Sequence, residues 1–223
     1  MSFFFLISIL IFSFSFRSFF RYFFKDHVNF DAYYHLILIK FIRKNGIRNL
    51  IEKKRFIENF NLEYPWLLHY IISYFPKKYN LLKIEKYTNP FLDTLFVFFL
   101  YIITFNLTKS NNLALSLCVL YLFTPASFTT LINGPRITSF TPRLFGEIVG
   151  SLMFISEYLY FIDGSQIYFI LAIIFAGLTI LSSKFSFQAI FFISIFLFIF
   201  TLKAEYLVIL FCGLVFSILI SGG

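Results

Sequence analysis

Four long apolar stretches of this chain carry no charged residue: Leu113–Leu131, Gln166–Ser182, Phe185–Thr201 and Tyr206–Ile220. They approach the ~18–20 apolar residues that cross the hydrocarbon core of a bilayer. That core has no water to satisfy backbone groups, so a spanning segment must be a helix or part of a closed barrel. The stretches are continuously apolar rather than alternating, which excludes the barrel. Charged residues make up 13% of the chain, where a soluble domain carries ~25%. The expected fold class is all-α, a polytopic transmembrane helical bundle. Residues 1–223 form a single transmembrane module with no room for a soluble domain.

The chain opens on an apolar stretch, Met1 to Phe20, that ends at Arg17 and Arg21. It lacks the basic n-region and small-residue cleavage site of a signal peptide, so it reads as a first span that stays attached. Six further spans are expected, at Pro90–Leu107, Leu144–Ile162 and the four charge-free stretches above. About seven spans place the two termini on opposite sides. Three separators are very short, so their neighbours pack as antiparallel pairs. Gly146, Gly150, Ala176 and Gly177 are small enough to let helices approach closely. Cys118 and Cys212 lie in apolar stretches and read as small core residues.

Between the first two spans lies a long polar segment, residues 21–88. It holds all three histidines (His27, His35, His69), the single tryptophan (Trp66) and most of the Lys and Arg residues. Residues 31–45 read as a helix. Asn29 or Asp31 can cap its free amides, and Gly46 can end it. Lys40, Arg43 and Lys44 sit near its C-terminus, where the helix dipole favours cations. Tyr64–Pro65 opens a second, short helix, Trp66 to Phe75, stopped by Pro76. At about 10 residues it cannot span, and its aromatics suit the membrane interface. The expectation is two interfacial helices on one face of the bilayer. The charge bias would place this segment in the cytoplasm, but the rule weakens for loops of about 60 residues, so charge leaves the orientation open.

The chemistry-bearing residues each have two readings. Asp31 is either a plain N-cap or a general base or metal ligand at the membrane surface. His27, Asp31 and His35 stand four apart. One helix through all three would put two imidazoles and a carboxylate on one face, a donor set for zinc or manganese. A cap at Asn29 would instead leave His27 outside the helix. Lys40, Arg43, Lys44, Lys53, Lys54, Arg55, Lys77 and Lys78 suit anionic lipid headgroups, or one or two of them bind a lipid-linked phosphate. Asn133 to Glu147, NGPRITSFTPRLFGE, brings Arg136, Arg143 and Glu147 to the start of a span. Arg143 and Glu147 either pair along the helix or serve a site. Lys184 follows the span ending in ILSS, either snorkelling or facing that same site. Glu157 sits inside a span, so it is either a functional residue or one that only pairs within the bundle. There is no phosphate-binding glycine loop, no GxSxG elbow and no HExxH. The basic residues flank the bilayer, so nucleic acid is not an expected partner.

Taken together, an acidic residue opening FDAYYHL after the first span, then Gly46, then YPWLLHYIISYFP, resembles the GT-C superfamily of membrane glycosyltransferases. The later AGLTILSSKFS (Ala176 to Ser186) and TPRLFGE are similar to patterns in the same group. The resemblance implies a sugar carried on a polyprenyl phosphate or pyrophosphate. It also implies transfer to a glycan, lipid or protein acceptor at the outer face of a bacterial plasma membrane, or the lumenal face of the endoplasmic reticulum. It makes Asp31 the catalytic residue, as base or as ligand of a divalent metal (Mg or Mn) with His35, and puts Glu147 beside it. Arg136, Arg143 and Lys184 become the cations for the carrier phosphate, with His35 and Tyr64 in the substrate-binding set. The N-terminus falls in the cytoplasm and the basic loop outside. Members of the group usually have more spans and often a C-terminal soluble domain, which makes this chain an incomplete module or one completed by a second chain. The competing expectation is a non-enzymatic membrane subunit, or a lipid-carrier transporter, using the same basic surface.

Overall fold

The computed structural model describes residues 2–23, 30–53, 55–57, 60–61, 65–76, 80–124 and 140–221. Those residues form nine helices: α1 Ser2–Phe23, α2 Phe30–Lys53, α3 Leu67–Ser73, α4 Leu81–Thr108, α5 Asn111–Leu122, α6 Arg143–Asp163, α7 Gln166–Ser182, α8 Lys184–Thr201 and α9 Glu205–Ser221. One departure from an all-α chain is a minimal antiparallel hairpin. Its strands are β1 Arg55–Ile57 and β2 Phe60–Asn61, with Ile57 opposite Phe60. Aromatic and β-branched residues at those positions suit a strand.

Among the described residues, four helices are long and apolar enough to cross a membrane: α1 over Phe4–Tyr22, α4, α6 and α8. This marks the chain as a membrane protein. The apolar side chains that face outward, such as Phe192, Phe200 and Leu219, are then facing lipid rather than water. The expected count of seven is corrected to four among the described residues. Helices α5, α7 and α9 are apolar but hold 12, 17 and 17 residues. At 1.5 Å rise per residue, 17 residues reach roughly 25 Å, short of a core of about 30 Å. The second half of the span expected at 113–131 lies largely outside the described residues.

The polar segment is also shorter than expected. Helix α4 begins at Leu81, not at Pro90, because the Asn80 side chain accepts a hydrogen bond from the Leu82 amide (2.9 Å) and caps it. Pro90 lies inside the helix. Residues 81–88 are thus the first two turns of the longest helix among the described residues. Helix α2 does break where expected. Gly46 has φ +77°, a backbone region open mainly to glycine, and interrupts the helix between residues 45 and 47. Helix α3 replaces the expected 66–75 segment and packs Leu68, His69 and Ile72 inward, in contact with α7.

The described residues divide into two compact units. The first comprises Met1–Ile37 and Pro76–Leu144, and the second Leu38–Phe75 and Phe145–Gly223. In the first, α1, α4 and α5 pack on one another. Val97, Cys118 and Leu122 form its apolar centre, with Ile9, Leu10, Tyr101 and Tyr121 against them.

In the second unit, α7 and α9 make the most extensive contact, and α8 packs on both. Its apolar centre is Met153, Ala172, Ala176, Ile190, Ile209 and Leu210. The α7–α9 seam is a backbone-to-backbone contact at small residues. A Cβ added to Gly213 would lie 2.5 Å from the Ala176 Cβ and 3.0 Å from the Gly177 amide nitrogen. One added to Gly177 would lie 2.8 Å from the Gly213 carbonyl oxygen. Gly146 and Gly150 play the same role on α6, against Ser183 and Ser186 and against Ile190. The small residues picked out by the sequence are therefore those that let these helices touch. Gly213→Val should lower stability by about 1–3 kcal/mol, since backbone cannot yield as a side-chain tip can. Thermal unfolding in detergent checks this; an unchanged midpoint would show that α7 and α9 do not meet at this seam.

Candidate functional site

The polar chemistry of the first unit is a ladder between α1 and α4. On α1, Ser13, Arg17 and Arg21 are four residues apart and share a face. On α4, Glu85, Asn89 and Asp93 repeat the same spacing. The helices run antiparallel, so the rungs pair in reverse order. Arg17 Nε donates to Asp93 Oδ2 at 2.7 Å, and Arg21 Nη2 donates to Glu85 Oε1 and Oε2 at 2.5 and 2.6 Å. The Ser13 and Thr94 hydroxyls meet at 3.3 Å. Arg17, Asp93, Arg21 and Glu85 are all buried. From α5, the Tyr121 hydroxyl donates to Asp93 Oδ1 at 2.7 Å, so each oxygen of that carboxylate has a donor. The arginines expected to mark the membrane edge are instead inside the unit. Unpaired charges there would carry a penalty of several kcal/mol each, and pairing offsets most of it.

The Glu85 end of the ladder gathers more of the chain. The Phe140 backbone N–H donates to Glu85 Oε1 at 3.3 Å. The Phe140 ring meets the His35 ring edge-on at 5.8 Å between centroids. Arg21, Glu85, His35, Phe140 and Thr141 are each buried, at 3% exposure or less. This knot joins α1, the first part of α2, α4 and the residues that lead into α6. Burial pushes the His35 imidazole from 6.5 down to about 4, because a charged ring would lose its hydration there.

The residues expected from sequence fall in several places. Asp31 lies in the first turn of α2, with its side chain outside the described residues. Arg136, Tyr64 and His27 lie outside them altogether. His35 is buried in the knot, one turn beyond Asp31. Arg143 opens α6, Glu147 is exposed one turn later, and Lys184 is the exposed first residue of α8. Among the described residues, no three of His, Cys, Asp and Glu come together as a metal-binding group. Glu157 does not show the pairing that is one of its two readings. It is 1% exposed and, among the described residues, neither carboxyl oxygen has a hydrogen-bond partner.

Two stretches far apart in sequence do meet in the second unit. The Gly146 position, one residue before Glu147, abuts Ser183 and Ser186, which flank Lys184. A Cβ there would lie 2.7 Å from the Ser183 Cβ and 2.5 Å from the Ser186 Oγ. Glycine is what permits TPRLFGE and ILSSKFS to touch. Ser183 also caps α8, its hydroxyl accepting from the Ser186 amide at 3.4 Å. The first turn of α6 and the start of α8 thus share one end of the unit, with Glu147 and Lys184 both open to the surroundings.

The ladder is the feature that sequence reading missed. Its signal was present: Asp93 lies inside an apolar stretch, and ionisable residues at four-residue spacing face the same spacing on another helix. Comparison with family models, with curated proteins and with solved structures finds no match for this chain.

Two outcomes follow from this geometry. Asp93→Leu should destabilise the protein by about 3–5 kcal/mol, because Arg17 is left buried without its carboxylate. Arg17→Leu/Asp93→Leu should recover most of that loss in a thermal unfolding assay, since two apolar residues need no pairing. Acid should act through His35. Its pKa is lowered on folding, so its contribution is complete above about pH 6.5 and fades as pH falls toward 4. The slope is at most about 1.4 kcal/mol per pH unit. Unfolding measured from pH 7.5 to 4.5 with chelator present should show this acid limb in the wild type. His35→Leu should flatten it; an equal limb in both would assign it to other groups.

Proposed function

We propose that this chain is a membrane glycosyltransferase module. It transfers a sugar from a polyprenyl-phosphate donor to an acceptor hydroxyl at the outer or lumenal membrane face. The observation that carries the reading is the contact at Gly146. Two of the stretches that resemble the GT-C superfamily, separated by more than thirty residues, meet there and hold Glu147 and Lys184 at one end of helices α6 and α8. The first-loop organisation supports it as well: an acidic residue in the first turn of a helix that is not a candidate span, soon after the first span, with a break at Gly46.

The chemistry follows from those positions. Asp31 accepts the proton of the acceptor hydroxyl as its oxygen attacks the anomeric carbon. The bond from that carbon to the phosphate oxygen breaks, and the electron pair leaves with the lipid phosphate. Negative charge grows on that phosphate, so Arg143, Lys184 and Arg136 lower the barrier if fixed beside it. Glu147 sits one turn from Arg143 and orients it or the acceptor. The described residues assemble no donor set for a divalent cation, and no step here is routed through one.

The test uses the full-length protein in membranes with a panel of radiolabelled polyprenyl-phosphate sugars. Asp31→Asn should lower turnover at least about 100-fold, as expected for loss of a general base. Lys184→Gln should raise the donor KM. Full turnover by Asp31→Asn would sink the assignment. If Asp31 is dispensable while neutralising Lys53, Lys54 and Arg55 abolishes lipid-carrier binding, the chain is a non-enzymatic subunit.

A further inference from the structure

The Arg21–Glu85–Phe140–His35 knot has no role in that chemistry, yet it lies between two stretches that do. His35 is one turn beyond Asp31 in α2. Phe140 is three residues before Arg143, the first residue of α6. Glu85 is the common member. It takes both of its hydrogen bonds to Arg21 through the single Nη2, and its Oε1 also receives the Phe140 amide. The Arg21 Nε and Nη1 have no hydrogen-bond partner among the described residues. A pair built only to neutralise two buried charges would favour the bidentate fork, with two nitrogens on two oxygens. Here the carboxylate is shared with a backbone amide from a distant part of the chain instead.

We infer that Arg21, Glu85 and His35 are positioning residues. Glu85, held by Arg21, pins the Phe140 amide and so fixes where Arg143 begins α6. The Phe140 ring, packed on His35, fixes the first turn of α2 that carries Asp31. One buried carboxylate thereby sets both the proposed base and the proposed phosphate cation. The inference rests on the glycosyltransferase reading above. It adds that base and cation are placed by a common device rather than by separate loops. The members are all buried, which limits the access of water to the Glu85 oxygens and to the His35–Phe140 contact. Reacting groups displaced by about 1 Å lose on the order of 100-fold in rate, so such a device is worth more to the reaction than to stability alone.

The experiment separates positioning from folding by exchanging the pair. Arg21→Glu/Glu85→Arg keeps two opposite charges buried together but removes the acceptor that Phe140 N–H needs at residue 85. Glu85→Gln does the reverse, keeping an acceptor oxygen and losing the charge. The exchanged protein should unfold at a higher temperature than Glu85→Gln. It should nonetheless be the more impaired enzyme, with kcat down and donor KM up, each about 10-fold per folded molecule. Glu85→Gln should lose only about 3-fold in kcat/KM. Recovery of kcat/KM in step with thermal stability in the exchanged protein overturns the inference, because the pair would then serve the fold alone. If the exchanged protein does not fold, His35→Ala decides, compared with Val97→Ala matched to it in unfolding temperature. Positioning predicts that kcat falls about 10-fold only in His35→Ala, and equal kcat in both overturns it. Asp31→Asn is assayed alongside. If Asp31→Asn is fully active, the glycosyltransferase reading has failed. If Asp31→Asn is inactive and the exchanged protein is active, only this inference has failed.

Discussion

A charge inside an apolar helix must find its counter-charge inside the protein, and this requirement organises the first unit. Arg17 and Asp93 each sit within a helix that could otherwise cross a membrane on hydrophobicity alone. Their pairing at 2.7 Å fixes which face of α1 meets α4. With Arg21 on Glu85 as the second rung, the register and antiparallel sense of the two helices are set together. Slipping α1 by one residue would turn both arginines away from their carboxylates. Buried ion pairs contribute little net stability against apolar residues of equal size, but a mispaired arrangement is heavily penalised. The ladder therefore acts as a specification of register more than as glue. Tyr121 extends it to α5, and the Phe140 amide extends it to the residues leading into α6.

The second unit obeys a different rule. Its helices have few polar groups to match, and lipid tails offer as apolar a surrounding as another helix does. What favours association is close contact between backbones, which needs positions without side chains. Gly177 and Gly213 supply it between α7 and α9, and Gly146 and Gly150 between α6 and α8 with its preceding turn. The contact at Gly146 also decides which residues share one end of the unit. It draws the first turn of α6 against the start of α8, and so brings Glu147 and Lys184 to a common end. In this unit the proposed site and the packing depend on the same missing Cβ.

Much of this was legible along the chain. Continuous apolar stretches without alternation leave helices as the only solution in a membrane, and the candidate spans α1, α4, α6 and α8 fall on such stretches. Gly46 as a helix break, the short helix after Pro65–Trp66, and the small residues of α6 and α7 were legible because each depends on local backbone freedom or on side-chain size. The span count was not. Whether a 17-residue apolar helix reaches across a bilayer depends on a few residues at its ends, and those ends are set by caps such as Ser183. The start of α4 was misplaced for a related reason. Pro90 looks like a first-turn residue, but the Asn80 cap starts the helix nine residues earlier.

The sequence by itself determined that this is a helical membrane protein, with its polar chemistry concentrated after the first span and at the turns before α6 and α8. Composition and periodicity suffice for that, since they act residue by residue. Only the tertiary structure decided that Arg17 and Arg21 are buried partners of Asp93 and Glu85 rather than markers of a membrane edge. It alone brought Phe140 to Glu85, and Gly146 to Ser183. The physical reason is that pairing is a property of two positions at once. A charge states that it needs a partner, but 64 and 76 residues separate these partners in the chain, and nothing local to either one names the other.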